Sequence, residues 1–273
     1  RSRLRRMFAG PLAGGGASGA TVGLLDGYTV TIAFGMRRLR AAYAGNCLRL
    51  IRDADSVESD FGFDVNGNID TASIAAWLGA ATGYCMKWYD QSGNGRDLSN
   101  PSAVDPATEN PRYFGTFQNG KPALRWASGI GMLPDFTWTQ NQPYSICAAH
   151  RFVTHTGSPP MWSDGSSASV FRAVATTNIP RMFAGTNLNG TAQSVNTTYV
   201  HSHLYNTTSS VMRRNGTQVA SGNVGSNNLS IVSDFVITSG VQQYFMEFFI
   251  LSGDQSASFS TIESSINSYW SVY

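Results

Sequence analysis

Tyr84-Cys85-Met86-Lys87-Trp88-Tyr89-Asp90-Gln91-Ser92-Gly93-Asn94-Gly95-Arg96-Asp97-Leu98 holds two kinds of chain in one stretch. Its first half alternates Tyr84, Met86 and Trp88 with Cys85, Lys87 and Tyr89, the pattern of a strand with two unlike faces. From Asp90 onward a strand cannot continue. Asp and Ser side chains fold back onto nearby backbone amides, and Gly93 and Gly95 supply positive φ. The expected product is a tight polar loop of Asp90, Gln91, Ser92, Gly93, Asn94, Gly95 and Asp97, held above an aromatic strand.

Outward from that loop, strands recur with turn signals between them. Cys47 to Arg52 and Asp60 to Asp64 read as strands, Asn66-Gly67-Asn68 as a turn, and Asp70 as the cap of a helix over 71–78. Phe117 to Trp126 reads as a hairpin on Asn119-Gly120, and Asn215-Gly216 marks a second. Tyr144, Ile146, Ala148, His150 and Phe152 share one strand face. Further strands are expected over 169–174, 181–184, 199–205, 210–214, 217–220, 231–237 and 243–251. The spacing of Phe259, Ile262, Ile266 and Trp270 predicts a C-terminal helix. Ile32, Met36, Leu39 and Tyr43 fall at helical spacing too, so residues 24–43 read as an amphipathic helix. The fold class is all-β: a two-sheet jelly roll over 24–273 with three short helices, preceded by an arm over 1–23.

Composition narrows the function classes. Charged residues are 13% and aromatics 12% of 273 residues, which suits many short strands and excludes a disordered chain. A net charge of +2 gives no case for nucleic acid. No apolar run reaches the roughly 18 residues a membrane helix needs. Positive charge concentrates at Arg1, Arg3, Arg5 and Arg6, ahead of a glycine-rich run, which reads either as a flexible linker or as an arm docking on a partner subunit. The missing initial Met is read as the mark of a piece of something longer. Cys47, Cys85 and Cys147 sit in apolar strand-like contexts and read as buried free thiols.

Trp88 to Leu98 resembles the W-Y-D-Q-S-G-N-G-x-D-L segment of the α-L-arabinofuranosidase B catalytic-domain family. Ala33 to Gly45, Phe61 to Asp64 and Gly67 to Ala72 are similar to that family as well. The likeness is good over about 24–115 and thins beyond to a general likeness to concanavalin-A-like sandwiches. It implies a jelly roll, and it implies two contexts, since the family includes domains of bacteriophage and bacterial surface proteins beside the enzymes. Activity does not follow from fold.

A retaining glycosidase needs two carboxyl groups roughly 5 Å apart. The family's nucleophile segment, Met-Glu-Asn-Gly, corresponds to Met212-Arg213-Arg214-Asn215-Gly216, which puts Arg214 in the carboxylate's place. The stretch matching its acid/base, Val236 to Gln242, has no carboxylate, and the enzymes' cysteine pair is missing. The expectation is therefore no catalytic residue. Sugar binding needs an aromatic platform with Asn, Asp or Arg beside it. Trp138 and Trp162, with Asp164, Asn141 and Tyr144, are the candidates, and Trp126 is a weaker one. A calcium site at Asp90, Asn94 and Asp97 is a minor alternative to a purely structural loop. His201 and His203 share a strand face but have no third ligand near them in sequence. Glu247 is expected as a cross-strand partner or a rim residue.

The resulting expectation is a non-catalytic virion module of a bacteriophage: a head decoration, fibre or tail appendage. Its jelly roll would face host or environmental glycans, its arm would reach other virion subunits, and it would be present in many copies. An arabinofuranosidase-like hydrolase, a secreted or bacterial surface carbohydrate-binding protein, and a ligand-free structural cement are the alternatives.

Overall fold

The computed structural model describes residues 23–100, 105–127, 130–155, 160–165, 170–173, 177–236 and 241–273. The arm expected over 1–23 lies outside the described residues except for Gly23.

Residues 24–43 are not a helix. They form a turn, then strand β1 (Val30–Gly35), then further turns. The apolar residues at helical spacing are buried all the same, with Ile32, Met36 and Leu39 fully inside. What defeats the helix is non-local competition for its backbone. The Ala33 amide donates to Asp90 Oδ1 at 2.9 Å, and the Leu39 amide to Gln91 Oε1 at 2.8 Å. β1 itself pairs with a strand more than 200 residues away, Phe34 opposite Phe248.

β2 (Leu48–Arg52) and β3 (Glu58–Phe61) form a hairpin, and α1 (Thr71–Leu78) starts where Asp70 accepts from the Ser73 amide. β4 (Gly83–Trp88) departs from simple alternation. Its partner β2 matches Arg49 to Lys87 and Leu50 to Cys85, so Met86 is an extra residue in a bulge. Cys85 and Trp88 point into the core, while Tyr84 and Lys87 stay half-exposed. A short β5 (Leu98–Ser99) and the single-turn α2 (Pro106–Glu109) lead to the hairpin of β6 (Arg112–Gln118) and β7 (Lys121–Trp126). Its turn is left-handed at both Asn119 (φ 51°) and Gly120 (φ 70°), as an Asn-Gly turn requires.

β8 (Leu133–Pro134) and β9 (Trp138–Gln140) are brief; β10 (Tyr144–His155) is long. β11 (Pro160–Gly165), β12 (Val170–Ala173), β13 (Pro180–Phe183) and β14 (Asn187–Asn189) follow. β15 (Thr197–Tyr205), β16 (Ser210–Arg214) and β17 (Thr217–Gly222) form a meander. β18 (Leu229–Val236), β19 (Val241–Ser252) and helix α3 (Phe259–Trp270) complete the chain.

Among the described residues these strands make two antiparallel sheets, a jelly-roll sandwich. The larger runs β17-β16-β15-β10-β19-β7-β6-β4-β2-β3, and the smaller runs β14-β13-β12-β11-β18-β9. β10 and β19 lie mid-sheet and are buried on both faces over 144–150 and 245–251. Their inner side chains meet the small sheet, while α3 packs against β15 and, through Trp270, reaches Glu247 of β19, with Phe259, Ile262, Ile266 and Trp270 fully buried. Cys47, Cys85 and Cys147 are buried free thiols.

Candidate functional site

The central loop is a clamp. Asp90 Oδ1 accepts from the Ala33 and Ser92 amides, and its Oδ2 accepts from the Arg96 amide and the Ser92 hydroxyl. Asp97 Oδ1 accepts from the Asp90 amide, while its Oδ2 pairs with Lys87 at 3.2 Å. Asn94 donates from Nδ2 to the carbonyls of Val30 and Thr31, and Gln91 donates to those of Gly35 and Arg37. Gly93 and Gly95 take φ of 90° and 67°, which lets successive amides turn inward. Three backbone N–H groups and the Ser92 hydroxyl therefore engage both oxygens of Asp90, which fixes the turn. The second family-like segment joins here too, since Arg38 donates its amide to Gly67 and Ile69 donates to Met36.

Of the five residues expected to hold a sugar, two reach solvent. Trp162 is 2% exposed and walled by Phe171, Tyr205 and Phe248. Tyr144 is fully buried, stacked on Tyr205 with ring centres 4.8 Å apart. Asp164 is fully buried and accepts from the Ser230 amide. All three are corrections: they fill the sandwich core. Trp126 does the same, against Trp88 and Phe245. Trp138 is half-buried on edge strand β9 with the Arg96 guanidinium 4.6 Å from its ring centre, and Asn141 is exposed beside that strand. Glu247 is no rim residue either. It is fully buried under α3 and paired with Arg37.

The inner face of β15 carries a stripe of rings, Tyr199, His201, His203 and Tyr205, because alternate residues share a face. His150 of β10 joins them, its ring centre 5.0 Å from that of His201. His203 Nε2 lies 3.4 Å from His201 Nδ1, while His150 Nδ1, His201 Nε2 and His203 Nδ1 are buried without a partner. The third histidine that sequence spacing missed thus comes from a neighbouring strand. Phe171, Phe245 and Trp162 close the space between them, leaving no room for a water molecule. Burial holds His150 and His203 down to about 3, and pushes His201 well below its usual value, with His150, His203 and Arg214 adding to the shift. All three are neutral at ordinary pH. No group of three His, Cys, Asp or Glu among the described residues is placed to hold a metal.

Arg214 stands opposite His201 on the same inner face. Its guanidinium donates to the carbonyls of Thr191 and Ala192 and lies 5.2 Å from the Tyr199 ring centre. None of the inner-face positions on β10, β15, β16 or β19 is an Asp or Glu. The stretch expected to match the acid/base falls partly outside the described residues, at 237–240.

No family model and no curated protein matches the sequence. The fold does have solved neighbours. A GH54 α-L-arabinofuranosidase soaked with a cyclic sulfate inhibitor is similar at TM-score 0.68 and 12% identity. An arabinofuranosidase complexed with arabinofuranosyl-α-1,2-xylobiose is similar at 0.68 and 14%. Both matches cover 88% of this chain and 63% of the other, so the chain spans less than two thirds of those structures. At this identity the likeness establishes a shared fold, and a distant one.

Proposed function

We propose that this chain is a non-catalytic carbohydrate-recognition module, carried in many copies on the outside of a bacteriophage particle. The observation that carries the non-catalytic reading is Arg214. A guanidinium held by two carbonyl oxygens stands at the position that the sequence resemblance matches to the enzymes' nucleophile, and an arginine cannot attack an anomeric carbon. Around it the inner face offers neutral, sealed histidines in place of paired carboxylates. The arabinofuranosidase likeness supports carbohydrate as the ligand class, and Trp138 with Asn141 supplies a surface platform and a hydroxyl partner. Arg1, Arg3, Arg5 and Arg6 would bind an acidic surface on a neighbouring subunit, with salt weakening that attachment.

A glycan array probed with the intact protein, run beside an aryl arabinofuranoside assay between pH 4 and 8, tests this reading. The expected result is glycan binding without sugar release. Turnover that disappears on replacing a single Asp or Glu would establish the hydrolase alternative. Deleting residues 1–23 should abolish joining of the particle while the domain still melts cooperatively.

A further inference from the structure

The outer face of the large sheet carries a row that runs across six strands. Its members are read from the pairing: Tyr84 opposite Arg112, Arg112 opposite Arg125, Arg125 opposite Tyr244, Tyr244 opposite Arg151, and Arg151 opposite Thr198. Residues directly opposite across a ladder point to the same side. At about 4.8 Å per strand the row is about 24 Å long.

Three properties separate it from an ordinary solvated face. First, Arg112 and Arg125 are directly opposed like charges, an arrangement that costs stability. Second, no described carboxylate lies within 4 Å of Arg112, Arg125 or Arg151, whereas Arg37, Arg49, Arg52 and Arg213 each have an acidic partner. Third, neutral groups hold the guanidiniums in place. Arg125 donates to Gln242 at 3.0 Å, and Arg151 donates to Thr198 at 3.0 Å and Gln118 at 2.9 Å. Phe114 and Phe117 extend this into a stack. Arg151 lies 4.3 Å from the Phe117 ring centre, Phe117 stacks on Tyr244 at 4.0 Å, Phe114 meets Tyr244 at 5.4 Å, and Arg112 lies 4.8 Å from Phe114. A cleft of about 160 Å³ opens beside Tyr84, Asn110, Arg112 and Arg125.

We propose that this row is a binding track for an extended anionic polysaccharide, one bearing carboxylates along its chain. Guanidiniums fixed by neutral partners keep their full charge for a ligand, and their fork geometry matches a carboxylate. A single-stranded nucleic acid fits less well. Phe117 already stacks on Tyr244 at 4.0 Å and holds the Arg151 guanidinium 4.3 Å from its ring centre, so its ring is engaged before any base arrives. The proposal rests on the reading of the chain as a carbohydrate-recognition module and names the ligand class and a second surface for it.

Affinity electrophoresis of the intact protein through gels holding polygalacturonate, alginate or hyaluronate tests the proposal. Gels with carboxyl-reduced polygalacturonate serve as controls. Expected are retardation by at least one acidic polymer, loss of it on carboxyl reduction, and at least a tenfold weaker affinity in Arg112→Gln/Arg125→Gln. Arg112→Gln alone, at an exposed position, reads the same effect without risk to the fold. Equal retardation by the reduced polymer would overturn the anionic class. Binding of neutral glycans only, sensitive to Trp138→Ala and indifferent to the arginine variants, would overturn this track while leaving carbohydrate recognition intact. Binding of no glycan would remove both. Retardation by oligo-dT that the arginine variants abolish, with no acidic polymer bound, would give the track to nucleic acid instead.

Discussion

Arg37 and Glu247 form a two-pronged ion pair, Nε to Oε1 at 2.5 Å and Nη2 to Oε2 at 3.2 Å, with the carboxylate wholly buried. Trp270 donates its indole N–H to the same Oε1 at 2.7 Å. One carboxylate therefore ties together the turn after β1, the middle of β19 and the end of α3. It also explains how the C-terminal helix is fixed on a sheet whose outer face would otherwise be open there.

Removing one partner of such a pair leaves the other charge buried and alone. Arg37→Ala should cost about 3–5 kcal/mol, roughly a 10 °C fall in melting temperature for a chain of this size. Arg49→Ala breaks a pair with Asp60 whose side chains are 41% and 31% exposed, and should cost about 1 kcal/mol at most. Thermal unfolding of the two variants checks the ranking, and equal shifts would contradict it.

The loop clamp makes a second ordered series. Asp90→Ala strands the amides of Ala33, Ser92 and Arg96 in a buried site and should cost at least 3 kcal/mol, with Asp90→Asn intermediate. Gly93→Val should cost about 1–3 kcal/mol through backbone strain alone, because a Cβ there meets nothing within 4 Å. Gly93→Asn should cost less, since asparagine tolerates positive φ. Chemical denaturation measures all four.

The buried histidines set a pH dependence. Their folded-state affinity for protons is far below that of the unfolded chain, near 6.5, so the unfolded state binds protons first as pH falls. Stability is full above that value and is lost progressively as pH falls toward about 3. At pH 5 each histidine should withdraw roughly 2 kcal/mol relative to pH 7.5. Melting curves at the two pH values should show a smaller difference in His203→Phe than in the parent chain. An unchanged difference would mean that the ring is not titrating in a buried site.

Much of the fold was legible because its signals are local. Asn119-Gly120, Asn215-Gly216, the Asp70 cap and the Phe259–Trp270 face each depend on a few neighbouring residues. The failures are non-local. Residues 24–43 have a helical apolar spacing, but amide acceptors from Asp90 and Gln91 outcompete the helix. Trp162 and Tyr144 sit among polar neighbours in sequence and yet face each other's sheet across the core. The histidine cluster and the arginine row exist only through strand register. For the cluster, a usable sign was present: His150 shares its alternation with Ile146 and Ala148, which marks it as inward-facing.

Saturation-transfer NMR on a glycan library, recorded before and after overnight incubation with the intact protein, reads glycan binding and glycan cleavage in one sample. Expected is transfer from protein to the ring protons of at least one glycan, with every anomeric signal unchanged the next day. New reducing-end anomeric signals would contradict the non-catalytic reading, and absence of transfer to any glycan would contradict carbohydrate recognition.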